Sequence, residues 1–194
     1  MLTRCSWVDN SSDIYLDYHD QEWGIAKHDD IILFELLTLE IFQAGLAWIT
    51  VLKKRAAFRQ AFDGFDPTKV AGYSPDKVEQ LMNNTGIIRN LAKIEATIHN
   101  AHYYQQIQKQ YGSFDRYIWS FTHGQAIVNN TDNIQATSEL SDQIARDLRR
   151  RHMKRLGSTT VYAYLQAIGV INDHQTQCYL HPSRQTPNTP TSNC

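Results

Sequence analysis

Between residues 29 and 45 apolar side chains stand almost back to back: Ile31, Ile32, Leu33, Phe34, Leu36, Leu37, Leu39, Ile41 and Phe42. That density leaves no polar stripe for solvent, and without a turn signal in the run it predicts a helix buried nearly all round. After Gly45 the pattern becomes amphipathic, with Trp48, Ile49, Leu52, Phe58 and Phe62 facing inward and Lys53, Lys54, Arg55 and Arg59 outward, which predicts one helix over 48–62. Asp66-Pro67 and Ser74-Pro75 each join a capping side chain to proline at the first helical position. Val78, Leu81 and Met82 give the second of these helices an apolar stripe that ends near Asn83-Asn84. Thr85-Gly86 makes a tight connection. From Asn90 the residues Leu91, Ile94, Ile98, Ala101 and Tyr104 keep helical spacing to about Gln110, where Gly112 stops the run. Further helices are expected over 114–121, 138–153 and 159–169, with a loop from His123 to Ala136. Few segments alternate with period two, so the fold class expected is all-α, a helical bundle.

The chain of 194 residues is sized for one domain, expected over 1–181, followed by a disordered tail over 182–194 rich in Pro, Ser, Thr and Asn. Neither a run of about 18 apolar residues nor a secretory signal is found, which leads us to expect a cytoplasmic protein without membrane contact. A net charge of −1 argues against indiscriminate binding of polyanions. It still allows a basic face, and Lys53-Lys54-Arg55 with Arg59, and Arg149-Arg150-Arg151-His152 with Lys154-Arg155, can supply one or can simply be solvated helix surface.

Three cysteines do not make a disulfide framework, and two of them, Cys5 and Cys178, lie near opposite ends with His19 and His174 close by. A separation of four residues would set His174 and Cys178 on one face of a helical turn. Two thiolates and two imidazoles fill a tetrahedral Zn²⁺ site with no open position, the composition of a structural metal that would fasten the chain's two ends together. The same residues also read as a small buried apolar side chain (Cys5) and a cation at a helix C-terminus (His174), with His181 and Cys194 as competing ligands.

Four segments, Arg4-Cys5-Ser6-Trp7-Val8, Tyr18-His19-Asp20-Gln21-Glu22-Trp23-Gly24, Leu39-Glu40-Ile41-Phe42-Gln43-Ala44-Gly45-Leu46-Ala47-Trp48 and Asn172-Asp173-His174 with Cys178, run in one order from residue 4 to about 181. In that set and order the chain resembles the 3-methyladenine DNA glycosylase I family of the helix-hairpin-helix superfamily. The resemblance implies a helix-hairpin-helix DNA glycosylase-like bundle with its hairpin at about 75–108. It implies a structural Zn²⁺ on Cys5, His19, His174 and Cys178, and a base pocket of Tyr18, Glu40 and Trp48 with Glu40 as the catalytic residue. The implied reaction is hydrolysis of the N-glycosidic bond of 3-methyladenine, and of 3-methylguanine, in alkylated double-stranded DNA by a monomer that releases the free base. The sequence departs from the commoner family wording at Ile41 and Phe42, where small or polar residues are frequent, and at Ala47, where serine is.

These residue types suit that chemistry. A purine methylated at N3 carries a positive charge that already weakens its bond to deoxyribose. Tyr18 and Trp48 can sandwich such a ring once it is flipped from the duplex, and Glu40 can accept from its exocyclic amine while countering the charge. Trp7 and Trp23 are expected as ordinary aromatic core. Gly86, Arg89 and Lys93 are candidates for phosphate contact at the hairpin, helped by Lys53 and Arg59, although Asn84–Arg89 also reads as a plain αα-hairpin. Asp115 reads as a first-turn residue without a catalytic role. Two rivals stand beside the glycosylase: a non-catalytic zinc-stabilised helix-hairpin-helix module that only binds DNA, and a zinc hydrolase, which would need an open metal position.

Overall fold

The computed structural model describes residues 2–133 and 135–185, and its architecture follows from one central helix. That helix is α2 (Asp30–Gln43), preceded by α1 (Asp13–Gln21). Asp29 caps α2 by accepting from Ile31 and Ile32 N–H, and every residue from Leu33 to Phe42 is buried. Only the first turn differs from the expected all-round burial, with Ile31 and Ile32 exposed. α1 has no counterpart among the expected helices, because its sequence is largely polar and only Tyr18 and His19 of it are buried.

The segment expected as one helix over 48–62 is two: α3 (Trp48–Leu52) and α4 (Arg55–Ala61). The charges at the break explain it. Lys54 turns to donate to the carbonyls of Thr85 and Gly86 at 2.9 and 3.2 Å. Arg55, expected outward, points in between Glu22 and Glu35 at 2.6 and 2.5 Å, and Arg59 joins it on Glu35 at 2.9 Å. Most of this basic cluster is thus internally paired.

A 3-10 turn at Asp63–Phe65 leads to α5 (Pro67–Ala71), capped by Asp66, and then α6 (Pro75–Asn83), capped by Ser74, both as their Pro signals predict. Residues 84–90 connect α6 to α7 (Leu91–Tyr111), which Asn90 caps and Gly112 ends in a left-handed conformation. α8 (Phe114–Ser120), α9 (Glu139–Arg150) and α10 (Ser158–Ala167) complete the bundle. α5 lies on α7, α9 on α10, and α2 packs between α7, α8 and α10. Inside the expected loop, β1 (Ile127–Val128) pairs in parallel with β2 (Ile171–Asn172), a pairing too short to register in the sequence pattern.

Gly169 lets the segment before α2 lie directly on the end of α10. Its φ is +75°, and a Cβ there would sit 2.3 Å from the Ile25 carbonyl carbon. Gly24 N–H and Lys27 N–H donate across this contact to the carbonyls of Gln166 and Ile168. The tail does not lose structure at 182: Pro182–Arg184 forms a 3-10 turn capped by His181. The rest of the expected tail, 186–194 with Cys194, lies outside the described residues. Among the described residues, no helix is long and apolar enough to cross a membrane.

Candidate functional site

Two side-chain clusters lie side by side where the chain's ends meet. The first gathers Cys5, His19, His174 and Cys178, all buried, with one potential ligand atom from each lying within 4.8 Å of the others. Cys5 Sγ and Cys178 Sγ each stand 3.6 Å from His174 Nδ1, and Cys178 Sγ stands 3.4 Å from His19 Nε2. The ring nitrogens pointing away are held as well. His19 Nδ1 bonds Asp20 Oδ1 at 2.8 Å, Asp20 in turn accepts two charge-assisted bonds from Arg4, and His174 Nε2 meets the Trp23 carbonyl at 3.3 Å. Burial pushes the Cys5 thiol up to about 12 and the His174 imidazole down to about 4. Without a cation Cys5 and His174 are therefore neutral, and a metal ion would supply the charge that ionises the Cys5 thiol. Residues 174–178 are a turn and not the helix that their spacing suggests, yet the turn still brings both side chains to the cluster. His181, the competing ligand, is elsewhere: its Nδ1 bonds Ser183 Oγ at 2.7 Å.

Beside this cluster opens a cavity of about 300 Å³, at the small end of ligand pockets. α2 contributes Glu40 and Gln43, α3 contributes Trp48, and α1 contributes Tyr15 and Tyr18. Ala163, Gln166 and Asp173 line it as well. Trp7 and Trp23, expected as core, line it too, with their rings 5.0 Å apart and edge to face. The sequence signal for them was their place beside Cys5 and His19: whatever gathers the Cys/His cluster carries these indoles to its flank.

Glu40 is 5% exposed, and among the described residues its carboxylate has no hydrogen-bond partner. Its neighbour on the same helix, Glu35, is equally buried but neutralised by two arginines. Burial alone pushes Glu40 up to about 8. A helix that spends two arginines on one carboxylate and none on the other leaves the second to be answered by something that enters the cavity. Tyr18 is raised by the same burial and by the Glu40 charge.

Tyr18 and Trp48 do not form a slot. Their ring centroids lie 5.4 Å apart at 54°, whereas a purine between parallel rings needs two stacking separations of about 3.5 Å each. A base can stack on one ring and meet the edge of the other. Ile41 and Phe42, the departures beside Glu40, point into the core, where Phe42 packs edge-on against Phe58, so they do not shape the cavity wall. Ala47 leaves α3 without a side-chain cap, and Tyr15 substitutes: its hydroxyl accepts from Ile49 N–H at 3.2 Å.

The residues expected to touch phosphate differ in their surroundings. Arg89 is exposed. Gly86 spends its N–H on Asn84 Oδ1 at 2.8 Å, and a Cβ there would meet Ala57 and Asn84 at 3.0 Å, so it serves close packing on α4. Lys93 is 7% exposed and donates to the carbonyls of Phe42 and Ala44 at 2.8 and 2.7 Å, satisfying the C-terminus of α2. Its ammonium is committed there and does not reach out to a phosphate. Asp115 lies in the first turn of α8, bonded to His28 at 2.7 Å and away from the cavity.

Comparison with known proteins places this arrangement. A family model described as methyladenine glycosylase matches residues 7–181. The DNA-3-methyladenine glycosylase of Haemophilus influenzae is 42% identical over 181 residues, which cover 92% of this chain and 97% of that protein. A crystal structure of 3-methyladenine DNA glycosylase I superposes with a TM-score of 0.88 at 43% identity, over 93% of this chain and all of that one. A variant of 3-methyladenine DNA glycosylase I, solved in complex with 3-methyladenine, superposes with a TM-score of 0.87 at 34% identity over 94% and 98% of the two chains.

Proposed function

The chain belongs to the methyladenine glycosylase family and is a DNA glycosylase, and from that premise we propose that it cleaves 3-methyladenine from alkylated DNA by taking the flipped base into the Glu40 cavity. The observation that carries this reading is the unpaired, buried carboxylate of Glu40 among aromatic rings. A methylated purine brings a delocalised positive charge and donor N–H groups. Glu40 releases its proton to water as the cation enters and accepts from the exocyclic amine, while whichever of Trp48 and Tyr18 the base stacks on offers a π-face that favours a cation by about 1–2 kcal/mol once water is excluded.

The reaction then asks little of the protein. The bond between C1′ and N9 breaks with its electron pair going to the base, whose charge is thereby neutralised. Water adds to C1′ and loses a proton. Undamaged adenine has no charge to cancel and is a far poorer leaving group. 3-Methylguanine shares the N3 methyl group and the charge, and we place it in the same reaction class. The connection from α6 to α7 is proposed as the helix-hairpin-helix element that meets the DNA backbone, with Arg89 and exposed Lys53 as phosphate contacts.

Cys5, His19, His174 and Cys178 are proposed to hold one structural Zn²⁺. Bond lengths near 2.3 Å for sulfur and 2.0–2.1 Å for nitrogen give tetrahedral S···N edges of about 3.5 Å, and the three such edges measured here are 3.4, 3.6 and 3.6 Å. Four protein ligands leave no position for water, which argues against metal-assisted hydrolysis. The ion would join the N-terminal segment, carrying Trp7, to the turn after β2, and so hold two cavity walls together.

The direct test is to treat methylated duplex DNA with the purified protein and identify the freed bases by mass spectrometry. Release of 3-methyladenine without adenine is expected. DNA binding with no base released would leave only a binding module.

A further inference from the structure

Resting on the functional reading above, we propose that Tyr15 is a positioning residue of the base site: its hydroxyl stands in for the missing cap of α3 and thereby fixes Trp48 against Tyr18. α3 begins with Trp48, so the first turn of this short helix sets where the indole stands. The N-cap position is Ala47, which has an extended backbone and no side-chain acceptor. Thr50 N–H returns to the Ala47 carbonyl at 3.0 Å, whereas Ile49 N–H, the donor that a capping side chain would take, has no acceptor in its own segment. The Tyr15 hydroxyl accepts that N–H at 3.2 Å, from 34 positions upstream.

Tyr15 and Tyr18 lie three residues apart on α1, so one helix face carries both rings into the cavity wall. Tyr18 in turn meets the Trp48 ring at 5.4 Å. Tyr15 therefore ties the helix that holds one base-contacting ring to the helical turn that holds the other. The Trp48 side chain does not supply this tie itself, since its buried indole N–H has no hydrogen-bond partner among the described residues. Trp7 packs edge to face on the Tyr15 ring at 5.9 Å, so the phenol is itself held by the N-terminal segment.

A base held in the cavity reacts at full rate only while the groups around it keep their places, and small displacements of such groups cost rate steeply. Without the Tyr15 hydroxyl the first turn of α3 loses its acceptor and Trp48 is free to drift from Tyr18. The loss falls on the bound base. Duplex affinity rests instead on phosphate contacts made outside the cavity.

Tyr15→Phe removes the hydroxyl and keeps the ring. Ala47→Ser puts an acceptor at the cap position itself, which Ile49 N–H can use in place of the phenol. Wild type, both single variants and the double variant are compared on a duplex carrying 3-methyladenine for single-turnover excision and affinity, and with free 3-methyladenine for its Kd, alongside melting temperature and metal content. Tyr15→Phe should slow excision about fivefold and weaken binding of the free base by a similar factor, with duplex affinity within about twofold of wild type. Ala47→Ser alone should stay within about twofold of wild type, and the double variant should recover to the same range. A double variant as slow as Tyr15→Phe overturns the proposal, as expected of a hydroxyl that acts on the base directly. A Tyr15→Phe loss confined to melting temperature, with excision and base affinity undiminished, also overturns it. Failure of the wild type to free 3-methyladenine would instead overturn the functional reading itself. Should Tyr15→Phe not fold, a crystal structure of the wild-type protein with 3-methyladenine decides: a Tyr15 hydroxyl within about 3.3 Å of Ile49 N and out of hydrogen-bond reach of the base supports the tie, and a hydroxyl turned onto the base refutes it.

Discussion

Glu40→Gln should make the protein more stable while disabling it, and the gain should grow with pH. Burial holds the Glu40 carboxyl up at about 8, against 4.5 in the unfolded chain. Below pH 4.5 the group is protonated in both states and contributes nothing. Between 4.5 and 8 the unfolded chain ionises and the folded one does not, so wild-type stability falls as pH rises by about 1.4 kcal/mol per pH unit. From these two values the penalty is about 1.4 kcal/mol at pH 5.5 and about 4 kcal/mol at pH 7.5. Gln removes the ionisation, so its advantage over wild type should widen by about 2.5 kcal/mol between those pH values, or roughly 5–10 °C in Tm for a chain of this length. Melting both proteins at pH 5.5 and 7.5 in saturating zinc is sufficient. Other titrating groups cancel in the difference, the Cys/His cluster among them. A difference that stays constant with pH, or one that narrows as pH rises, would refute the claim that Glu40 is stored in a poorly solvated site at the fold's expense.

Four further outcomes are expected. Because the proposed role requires ionised Glu40, wild-type kcat/KM on alkylated DNA should climb roughly tenfold between pH 6.5 and 7.5 and level above pH 8, while the residual activity of Glu40→Gln stays flat; a flat wild-type profile counts against it. Stripping metal with a chelator should lower Tm by about 10 °C, the equivalent of about 4 kcal/mol for an ion present at a thousandfold its Kd, and adding zinc should restore it; an unchanged melt removes the staple. Gly169→Ala should cost at least about 2 kcal/mol in urea unfolding, since it combines a positive φ with a Cβ driven into the Ile25 backbone. Arg89→Ala should reduce the salt slope of duplex binding by about one, whereas Lys93→Met should leave the slope alone and lose about 1–3 kcal/mol of stability through the unsatisfied carbonyls of Phe42 and Ala44.

Local signals were legible where local forces decide the outcome. Asp66 and Ser74 cap helices in the positions their sequence contexts predict, and the apolar density of α2 reports its burial directly. α1 escaped because a mostly polar helix docked through two residues has little periodicity to read. The break between α3 and α4 escaped for a different reason: Lys54 and Arg55 are redirected by partners 31 and 33 residues away in sequence, which no helical wheel contains. The same distance effect governs the site. Spacing suggests a helical turn that sets His174 and Cys178 on one face, whereas the chain brings them to Cys5 and His19 with a turn after β2. Lys93 looked like a surface cation at a hairpin because its acceptors, the last carbonyls of α2, lie about 50 positions upstream. Trp7, Trp23 and Asp173 became cavity residues only once both chain ends were folded onto α10.

The central claim is that a buried, unpaired carboxylate recognises a charged base and thereby drives its release. Single-turnover excision and duplex affinity measured together on one 3-methyladenine-containing oligonucleotide, for wild type and Glu40→Gln with metal content matched, test it most directly. The account predicts that excision falls by about 100-fold or more while duplex affinity stays within about threefold. Excision and affinity falling together, or excision persisting undiminished, would contradict it.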